Sequence, residues 1–112
     1  MLNVTDETFA DHVLTATNPV LVYFWAPWCK LCHRVEPTLI KMQGEFPHPI
    51  DLVSVNADEN LKLSTAHRLK ILPTVLVFAG GKVVYRLEGF PGRDELQRSL
   101  NQVGLNLFAA SA

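Results

Sequence analysis

The stretch VLVYFWAPWCKLCH, residues 20–33, decides the fold of this 112-residue chain. It begins with a continuous run of aliphatic and aromatic residues, Val20 to Trp25, which is typical of a strand covered on both faces. We therefore predict that this strand is central in a sheet. After the short Ala26-Pro27-Trp28-Cys29 turn, a helix is predicted to run to about Glu45. Pro37 is predicted to kink it, because proline removes one backbone donor from the helix interior.

Strand and helix patterns alternate on both sides of this unit. Before it, a first helix is predicted, capped by Thr5 or Asp6 and with Phe9 and Val13 on one face. After it, a buried strand is predicted over 50–55, followed by a helix over 61–69 whose start is signalled at 56–58. The chain then continues with hairpin strands over 74–78 and 83–87, joined by Gly80-Gly81, and an amphipathic helix over 92–103. From the central strand onward the order is βαβαββα. This order predicts an α/β fold with a mixed central sheet, one antiparallel edge and helices on both faces.

The chain is predicted to be a single domain followed by a short tail. No linker rich in serine, glycine or proline and no repeat interrupts it, so one domain is expected over residues 1–104. A chain of this length can bury a core without disulfide stapling. Residues 105–112 are predicted to be a short C-terminal tail, because the pattern from Gly104 onward is that of a frayed or loosely docked segment.

Composition and charge exclude several classes of protein. Hydrophobic residues make up 48% and charged residues 19%, and the net charge is −1, so we expect no disordered chain, no nucleic-acid partner and no anionic membrane partner. The longest apolar runs, about six residues, are far shorter than the roughly 20 residues of a transmembrane helix. Residues 1–10 lack the basic start of a secretory signal, so we expect a protein of the reducing cytoplasm. We also expect it to be a monomer.

The two cysteines of the chain, Cys29 and Cys32, fall at the start of the predicted helix. Two thiols separated by two residues can close a small disulfide ring there without dismantling the fold. The first thiol faces the unpaired N–H groups and the positive end of the helix dipole, which stabilise its thiolate, whereas the second lies one turn further in and is more shielded. Cys29 is therefore the predicted nucleophile, and Cys32 is the resolving thiol that attacks the mixed disulfide.

The motifs around these cysteines resemble those of the thioredoxin family. The motifs that occur in family order and spacing are Phe24-Trp25-Ala26-Pro27-Trp28-Cys29, Cys32, Pro37, Asn56-Ala57-Asp58, Leu72-Pro73-Thr74, Gly80-Gly81 and Gly89. The resemblance covers roughly Leu2 to Val103. The resemblance implies the thioredoxin fold and a thiol–disulfide oxidoreductase that serves electron transport and cell redox homeostasis. It also implies protein disulfides as substrates, and a reductase or another dithiol donor as partner.

The resemblance further implies a substrate-binding surface beside the thiols. Pro73 is similar to the family's cis-proline, and Leu72 before it would pair its backbone with an extended substrate peptide. Gly89 matches the family glycine that lets the substrate backbone approach. Trp28 and Phe90 would complete, with Leu72 and Pro73, an apolar rim around the first thiol.

The chain departs from the family pattern at the positions that tune the thiols. Lys30-Leu31 stands between the cysteines where thioredoxins usually have Gly-Pro, Tyr23 replaces the buried acid beneath the second cysteine, and Ser54 replaces the lysine partner of that acid. Arg68 and Ile71 stand where many members have glycine. Recognition by the standard reductase is therefore not implied.

These departures predict a different redox behaviour. A positive Lys30 beside Cys29 favours the thiolate and with it the reduced form, so the protein should be less reducing than a typical thioredoxin. With no carboxylate at position 23, the deprotonation of Cys32 is predicted to depend on water, hydroxide or His33. Tyr23 itself is interpreted as a packed strand residue with a satisfied hydroxyl, because a free phenol has a pKa near 10.

Other interpretations of the cysteine motif stay open. A redox-silent interaction module that binds partners through the Trp28/Pro73 face is the main alternative. The pattern Cys-x-x-Cys-His at residues 29–33 also fits c-type haem attachment, and the same thiols and His33 could contribute to a zinc site. Neither is favoured, since no export signal accompanies the haem motif and a closed zinc site needs a fourth ligand. We expect no cofactor and no metal.

Overall fold

A computed structural model describes residues 1–109 of the chain. Within these residues, five strands form one mixed sheet. The strands are β1 (Leu2–Asn3), β2 (Val20–Trp25), β3 (Asp51–Asn56), β4 (Thr74–Ala79) and β5 (Lys82–Glu88). Their order across the sheet is β1-β3-β2-β4-β5, with β2 parallel to β3 and antiparallel to β4. The predicted central position of β2 is confirmed. The short β1, which pairs in parallel with β3, is an addition to the predicted order.

Helices cover both faces of the sheet, as predicted. The described residues form the α-helices α1 (Lys30–Gln43), α2 (Leu61–Ala66) and α3 (Arg93–Phe108), and a π-helix (Ala10–Leu14). Because successive side chains of a strand point to opposite faces, β2 turns Leu21 and Tyr23 towards one core cluster and its other buried residues towards a second. The first cluster also contains residues of α1 and α3, and the second contains residues of the π-helix and α2. No helix within residues 1–109 is both long and apolar enough to cross a membrane.

The N-terminal segment differs from the prediction in helix type and in capping. Instead of an α-helix capped by Thr5 or Asp6, it forms the short π-helix, which has no side-chain cap among the described residues. The Asp6 carboxylate accepts a hydrogen bond from the backbone N–H of Leu63, 3.0 Å away, in the first turn of α2. The two residues are 57 positions apart, so no local pattern could have indicated this cap. Phe9 and Val13 are buried in one cluster, as predicted.

Asn60, and not residues 56–58, is the N-cap residue of α2. Those three residues form a turn closed by the side chain of Asn56. Asn60 precedes the helix and is buried, and its Nδ2 donates to the Asn56 carbonyl at 2.9 Å. Its Oδ1 accepts from the backbone N–H of Asp6, also at 2.9 Å. One amide thus joins the N-terminal segment, the end of β3 and the start of α2. The helix ends at Ala66, earlier than predicted.

The C-terminal helix is longer than predicted. It continues past Val103, where the prediction ended it, through Gly104 to Phe108. Gly104 is buried, and a Cβ atom at this position would lie 2.9 Å from the ring of Phe46. This glycine is therefore a point of close packing and not a helix end. The prediction of a frayed tail is therefore wrong for residues 105–108, which are helical. Residues 110–112 of the predicted tail lie outside the described part of the chain, and the domain boundary at residue 104 stays a prediction.

An aromatic cluster on the second face of the sheet contains one titratable ring, that of His67. The imidazole centroid lies 5.7 Å from the Phe9 ring, 6.1 Å from the Phe24 ring and 5.6 Å from the Phe78 ring. Burial lowers the pKa of His67 below its ordinary value of 6.5, and the positive charge of Arg86 lowers it further. The folded protein therefore favours the neutral ring.

We expect acid to destabilise the protein through His67. Because its pKa is lower in the folded protein than in the unfolded chain, the stabilisation from the neutral ring is complete above about pH 6.5 and is lost as the pH falls through the folded-state pKa. Urea unfolding should be measured above about pH 6.5 and again at a pH below the folded-state pKa of His67. Between these two conditions, His67→Phe should lose less unfolding free energy than the wild type. The exposed His12 supplies the control, since His12→Gln should lose as much as the wild type. Equal losses in the wild type and His67→Phe would contradict this expectation.

Candidate active site

The two cysteines lie at the junction of β2 and α1 and form a disulfide, with their Cα atoms 5.3 Å apart. Cys29 is the N-cap residue of α1, and its Sγ accepts a hydrogen bond from the backbone N–H of Cys32 at 3.2 Å. Cys29 is 6% exposed, whereas Cys32 is completely buried. The first sulfur therefore faces the N–H groups at the helix start, and the second is the more shielded, as predicted.

This geometry favours dithiol–disulfide exchange. The first turn of a helix has N–H groups without partners and a partial positive charge, so a thiolate at Cys29 is stabilised. Cys32 is close enough to bond to Cys29. Its burial keeps bulky disulfides from reaching it directly. An attacking sulfur and a second sulfur held behind it are the two parts that a complete exchange reaction needs.

The two residues between the cysteines differ in exposure. Lys30 is exposed at the first position of α1, so its charge lies next to the N-cap sulfur but is screened by water. Leu31 is half-buried and lines a depression with Arg34 and with residues 91–95 at the start of α3. The dipeptide thus places one charge and one apolar surface beside Cys29.

An exposed apolar rim borders the thiols on the side of α2. Trp28 is 68% exposed, and its Nε1 donates to the Asp58 carboxylate at 2.8 Å, which holds the indole in place. Trp28 lines a second depression together with Leu72 and the exposed Ile71. In the sequence, Asp58 belongs to Asn56-Ala57-Asp58, which signals a helix start and also matches the family pattern. That match is the one available signal for its role in holding Trp28.

The Leu72–Pro73 peptide bond is cis, as predicted. Pro73 is buried directly before β4, and Leu72 is half-buried and packs against the core cluster that contains both thiols. Gly89 follows β5 with a φ of 71°, and a Cβ atom there would meet nothing within 4 Å, so the backbone is open to approach from outside. Phe90 is buried in the same cluster as the thiols, so it forms the floor of the site rather than its exposed rim.

The loop before the cis-proline is held by Arg86, a residue to which no sequence motif points. Its guanidinium, on β5, donates to the carbonyl of His67 at 2.6 Å and to the carbonyl of Arg68 at 2.9 Å. Arg68 has a φ of 51°, a left-handed conformation that costs a non-glycine residue about 1–2 kcal/mol. Many family members have glycine here, and the positive φ gives the physical reason. Arg86 thus ties down a strained turn from the edge of the sheet.

Tyr23 occupies the position of the family's buried acid and is itself buried. Its hydroxyl donates to the backbone carbonyl of Cys32, so it is a packed strand residue with a satisfied hydroxyl, as predicted. Burial raises the pKa of Tyr23 above its ordinary value of 10.0, and the negative charge of Glu36 raises it further. The phenol therefore stays protonated at neutral pH. Ser54, beside Tyr23 on β3, donates its hydroxyl to Asn3 at 3.1 Å.

His33 is exposed on the first turn of α1. Its Nε2 donates to the Pro27 carbonyl at 2.9 Å, and its ring centroid lies 6.2 Å from that of Trp25. The side chain therefore braces the turn that precedes the cysteines. Among residues 1–109, no group of three or more Cys, His, Asp or Glu side chains is arranged so that it could hold a metal ion.

Known proteins resemble this chain over almost its whole length. The sequence model of the thioredoxin family matches residues 1–102. Thioredoxin 1 of Nostoc sp. is 36% identical over 99 residues, which are 88% of this chain and 92% of that relative. The thioredoxin of Mycobacterium bovis is 35% identical over 106 residues, which are 95% of this chain and 91% of that relative. The bifunctional thioredoxin reductase/thioredoxin of Mycobacterium leprae is 35% identical over 106 residues, which are 95% of this chain but 23% of that relative.

Proposed function

The chain belongs to the thioredoxin family and is a thiol–disulfide oxidoreductase, and we propose that Cys29 is its attacking thiol and Cys32 its resolving thiol. The observation that carries this assignment is the hydrogen bond from the Cys32 N–H to the Cys29 sulfur at the start of α1. It supports a stabilised thiolate at the more accessible of the two sulfurs. The complete burial of Cys32 supports a sulfur that reacts with Cys29 alone.

The proposed reaction begins with the reduced protein. The Cys29 thiolate attacks one sulfur of a substrate disulfide, a mixed disulfide forms, and the first substrate thiolate leaves. Cys32 then loses its proton and attacks the Cys29 sulfur. This step closes the disulfide within the protein and releases the second substrate thiolate. Two electrons pass from the protein to the substrate, and a separate donor must return them.

We propose that substrates bind as extended peptides over the rim formed by Trp28, Leu72, Pro73 and Gly89. The exposed indole, held by Asp58, supports this because it offers a large apolar surface that loses little conformational freedom on binding. The open space around Gly89 supports close approach of a second backbone. Lys30 and Leu31 would tune the thiols through charge and packing, His33 and Tyr23 would hold the backbone around them, and the buried Phe90 would support them in the core.

We also propose protein disulfides as the substrates and a reductase as the electron donor. The Mycobacterium leprae relative, whose name joins a thioredoxin reductase to a thioredoxin, supports a donor of this kind. Ile71 is exposed beside Trp28, so it would alter the surface on which the donor docks. We propose a monomer that works in the cytoplasm, where reducing conditions keep dithiols available.

Reduction of insulin disulfides tests the proposed function. With dithiothreitol as donor, the protein should accelerate the precipitation of insulin chains well above the rate with dithiothreitol alone. Protein that has been reduced and alkylated at both cysteines is the matched control and should give only the background rate. A redox-silent interaction module, the alternative function, would bind partners and leave insulin reduction at background. That result would overturn the proposal.

A further inference from the structure

Resolution of the mixed disulfide requires Cys32 to lose a proton. In this chain Tyr23 occupies the position of the buried acid that the family has beneath the second cysteine. Tyr23 does not act as a base, because its hydroxyl donates to the Cys32 carbonyl and burial keeps the phenol protonated. Ser54 beside it is also engaged, with its hydroxyl on Asn3. The proton of Cys32 therefore passes either to water or hydroxide or to another side chain near the thiol.

Most titratable groups around the thiols are unsuited to this role. Element by element they are Lys30, His33 and Arg34 on α1, Asp58 after β3, Tyr85 on β5, and Arg93, Asp94 and Glu95 at the start of α3. Lysine, arginine and tyrosine side chains accept no proton at neutral pH. His33 and Asp58 are exposed, whereas Cys32 is completely buried. Each of these two exposed groups is also held by another partner, the Pro27 carbonyl for His33 and the Trp28 indole for Asp58. Glu95 is paired with Arg98, and Asp94 is exposed in the first turn of α3.

Glu36 lies one helical turn after Cys32, whose carbonyl accepts the Tyr23 hydroxyl. Residues four apart share a face of an α-helix, and each Cα–Cβ bond tilts towards the helix start, so the Glu36 side chain leans back towards Cys32. In the helix ladder the Glu36 N–H bonds to the Cys32 carbonyl, which is the same atom that accepts the Tyr23 hydroxyl. The carboxylate is close enough to Tyr23 for its charge to act on the phenol.

Glu36 has no evident role in stabilising the fold. Its side chain is half-buried, yet among residues 1–109 it takes part in no salt bridge and no side-chain hydrogen bond. Its oxygens are not among the buried side-chain atoms that lack a partner, so the carboxylate stays ionised in contact with water and is not engaged elsewhere. A half-buried acid with no other partner, one turn from the resolving thiol, is therefore available to take a proton from it.

We propose that Glu36 receives the proton of Cys32 during resolution of the mixed disulfide, in place of an acid at position 23. The Cys32 S–H bond breaks and its proton passes to the carboxylate. The sulfur's electron pair forms the bond to the Cys29 sulfur, and the bond from Cys29 to the substrate sulfur breaks with its electron pair. The departing substrate thiolate takes a proton from Glu36 or from water. Tyr23 is a positioning residue, because its hydroxyl fixes the turn that carries both groups.

This inference rests on the proposed function, and the two thiol steps can be measured apart. When the reduced protein reacts with the aromatic disulfide dithiobis-nitrobenzoate in a single turnover, Cys29 releases one coloured thiolate and Cys32 then releases the second. Near neutral pH, Glu36→Gln should slow the second release by at least about tenfold and leave the first unchanged. The difference should shrink as the pH rises beyond the ordinary thiol pKa of about 8.5, because hydroxide then takes the proton of Cys32 without help from a carboxylate.

Matched variants separate this role from a structural one. Glu45→Gln removes an exposed carboxylate just beyond α1 and should leave both releases unchanged. Tyr23→Asp in the Glu36→Gln background should restore the second release, because it supplies a carboxylate from β2. If Glu36→Gln does not fold, Glu36→Asp decides, since the shorter side chain should slow the second release near neutral pH.

Two results would count against these conclusions in different ways. A second release with the same pH profile in the wild type and the Glu36 variant would overturn the inference while leaving the proposed function intact. A wild-type protein that releases one thiolate or none would contradict the proposed function itself.

Discussion

Cys32→Ser is expected to stop catalytic turnover completely and to leave target proteins attached to Cys29 through a disulfide. The chain has two cysteines, so the variant keeps the attacking sulfur and loses the resolving one. A serine hydroxyl does not displace a thiolate from a disulfide, and the mixed disulfide therefore persists. Insulin reduction should fall to the rate with dithiothreitol alone. Non-reducing electrophoresis of a cell extract, followed by mass spectrometry, should show the trapped partners.

Cys29→Ser is the matched control for this experiment. It should also lose insulin reduction, but it should trap no partner, because its remaining thiol is completely buried. In the reduced wild type, iodoacetamide should alkylate Cys29 before Cys32 for the same reason. Trapping by Cys29→Ser in preference to Cys32→Ser would reverse the assignment of the two roles.

Replacing Lys30-Leu31 by the Gly-Pro usual in the family is expected to make the protein more reducing. In the wild type, the Lys30 charge and the helix start both favour the Cys29 thiolate and therefore the reduced form. We expect a wild-type potential less negative than that of thioredoxin, which is about −270 mV. A tenfold shift in the thiol–disulfide equilibrium corresponds to about 30 mV. Because Lys30 is exposed and screened by water, the double variant should move the potential by an amount of that order.

Equilibration with glutathione or dithiothreitol measures this shift. Lys30→Gln isolates the contribution of the charge, and that contribution should shrink at high salt. Lys41→Gln removes an equally exposed charge at the far end of α1 and should leave the potential unchanged. A wild-type potential at or below that of thioredoxin would show that Lys30 is a solvated charge without influence on Cys29.

The strand–helix unit around the cysteines could be predicted because its signals are local. The run from Val20 to Trp25 carries no charge, and a strand of this composition is stable when both of its faces are covered. The observed β2 has the predicted bounds and lies in the middle of the sheet. The cis bond before Pro73 and the deeper burial of Cys32 also agree with the sequence-based predictions.

The ends of the helices could not be predicted, because residues distant in the chain decide them. Asp6 caps α2 from the N-terminal segment, so the start of α2 depends on a contact across the fold. The helix α3 continues through Gly104, although a glycine locally favours the end of a helix. It continues because its backbone packs closely against Phe46 at this residue. Such packing outweighs the cost of about 1 kcal/mol for a glycine inside a helix.

The sequence by itself determined that this chain is an α/β domain with an exchanging pair of thiols, since hydrophobic periodicity and residue spacing over a few positions carry that information. What surrounds the thiols was decided only by the tertiary structure. Asp58 holds Trp28, Arg86 holds the loop before the cis-proline, and the charge of Glu36 acts on Tyr23. Each of these interactions joins segments that are separate in the chain. The distance between the two partners of each interaction depends on how strands and helices pack against one another. It cannot be read from the separation of the two partners along the chain.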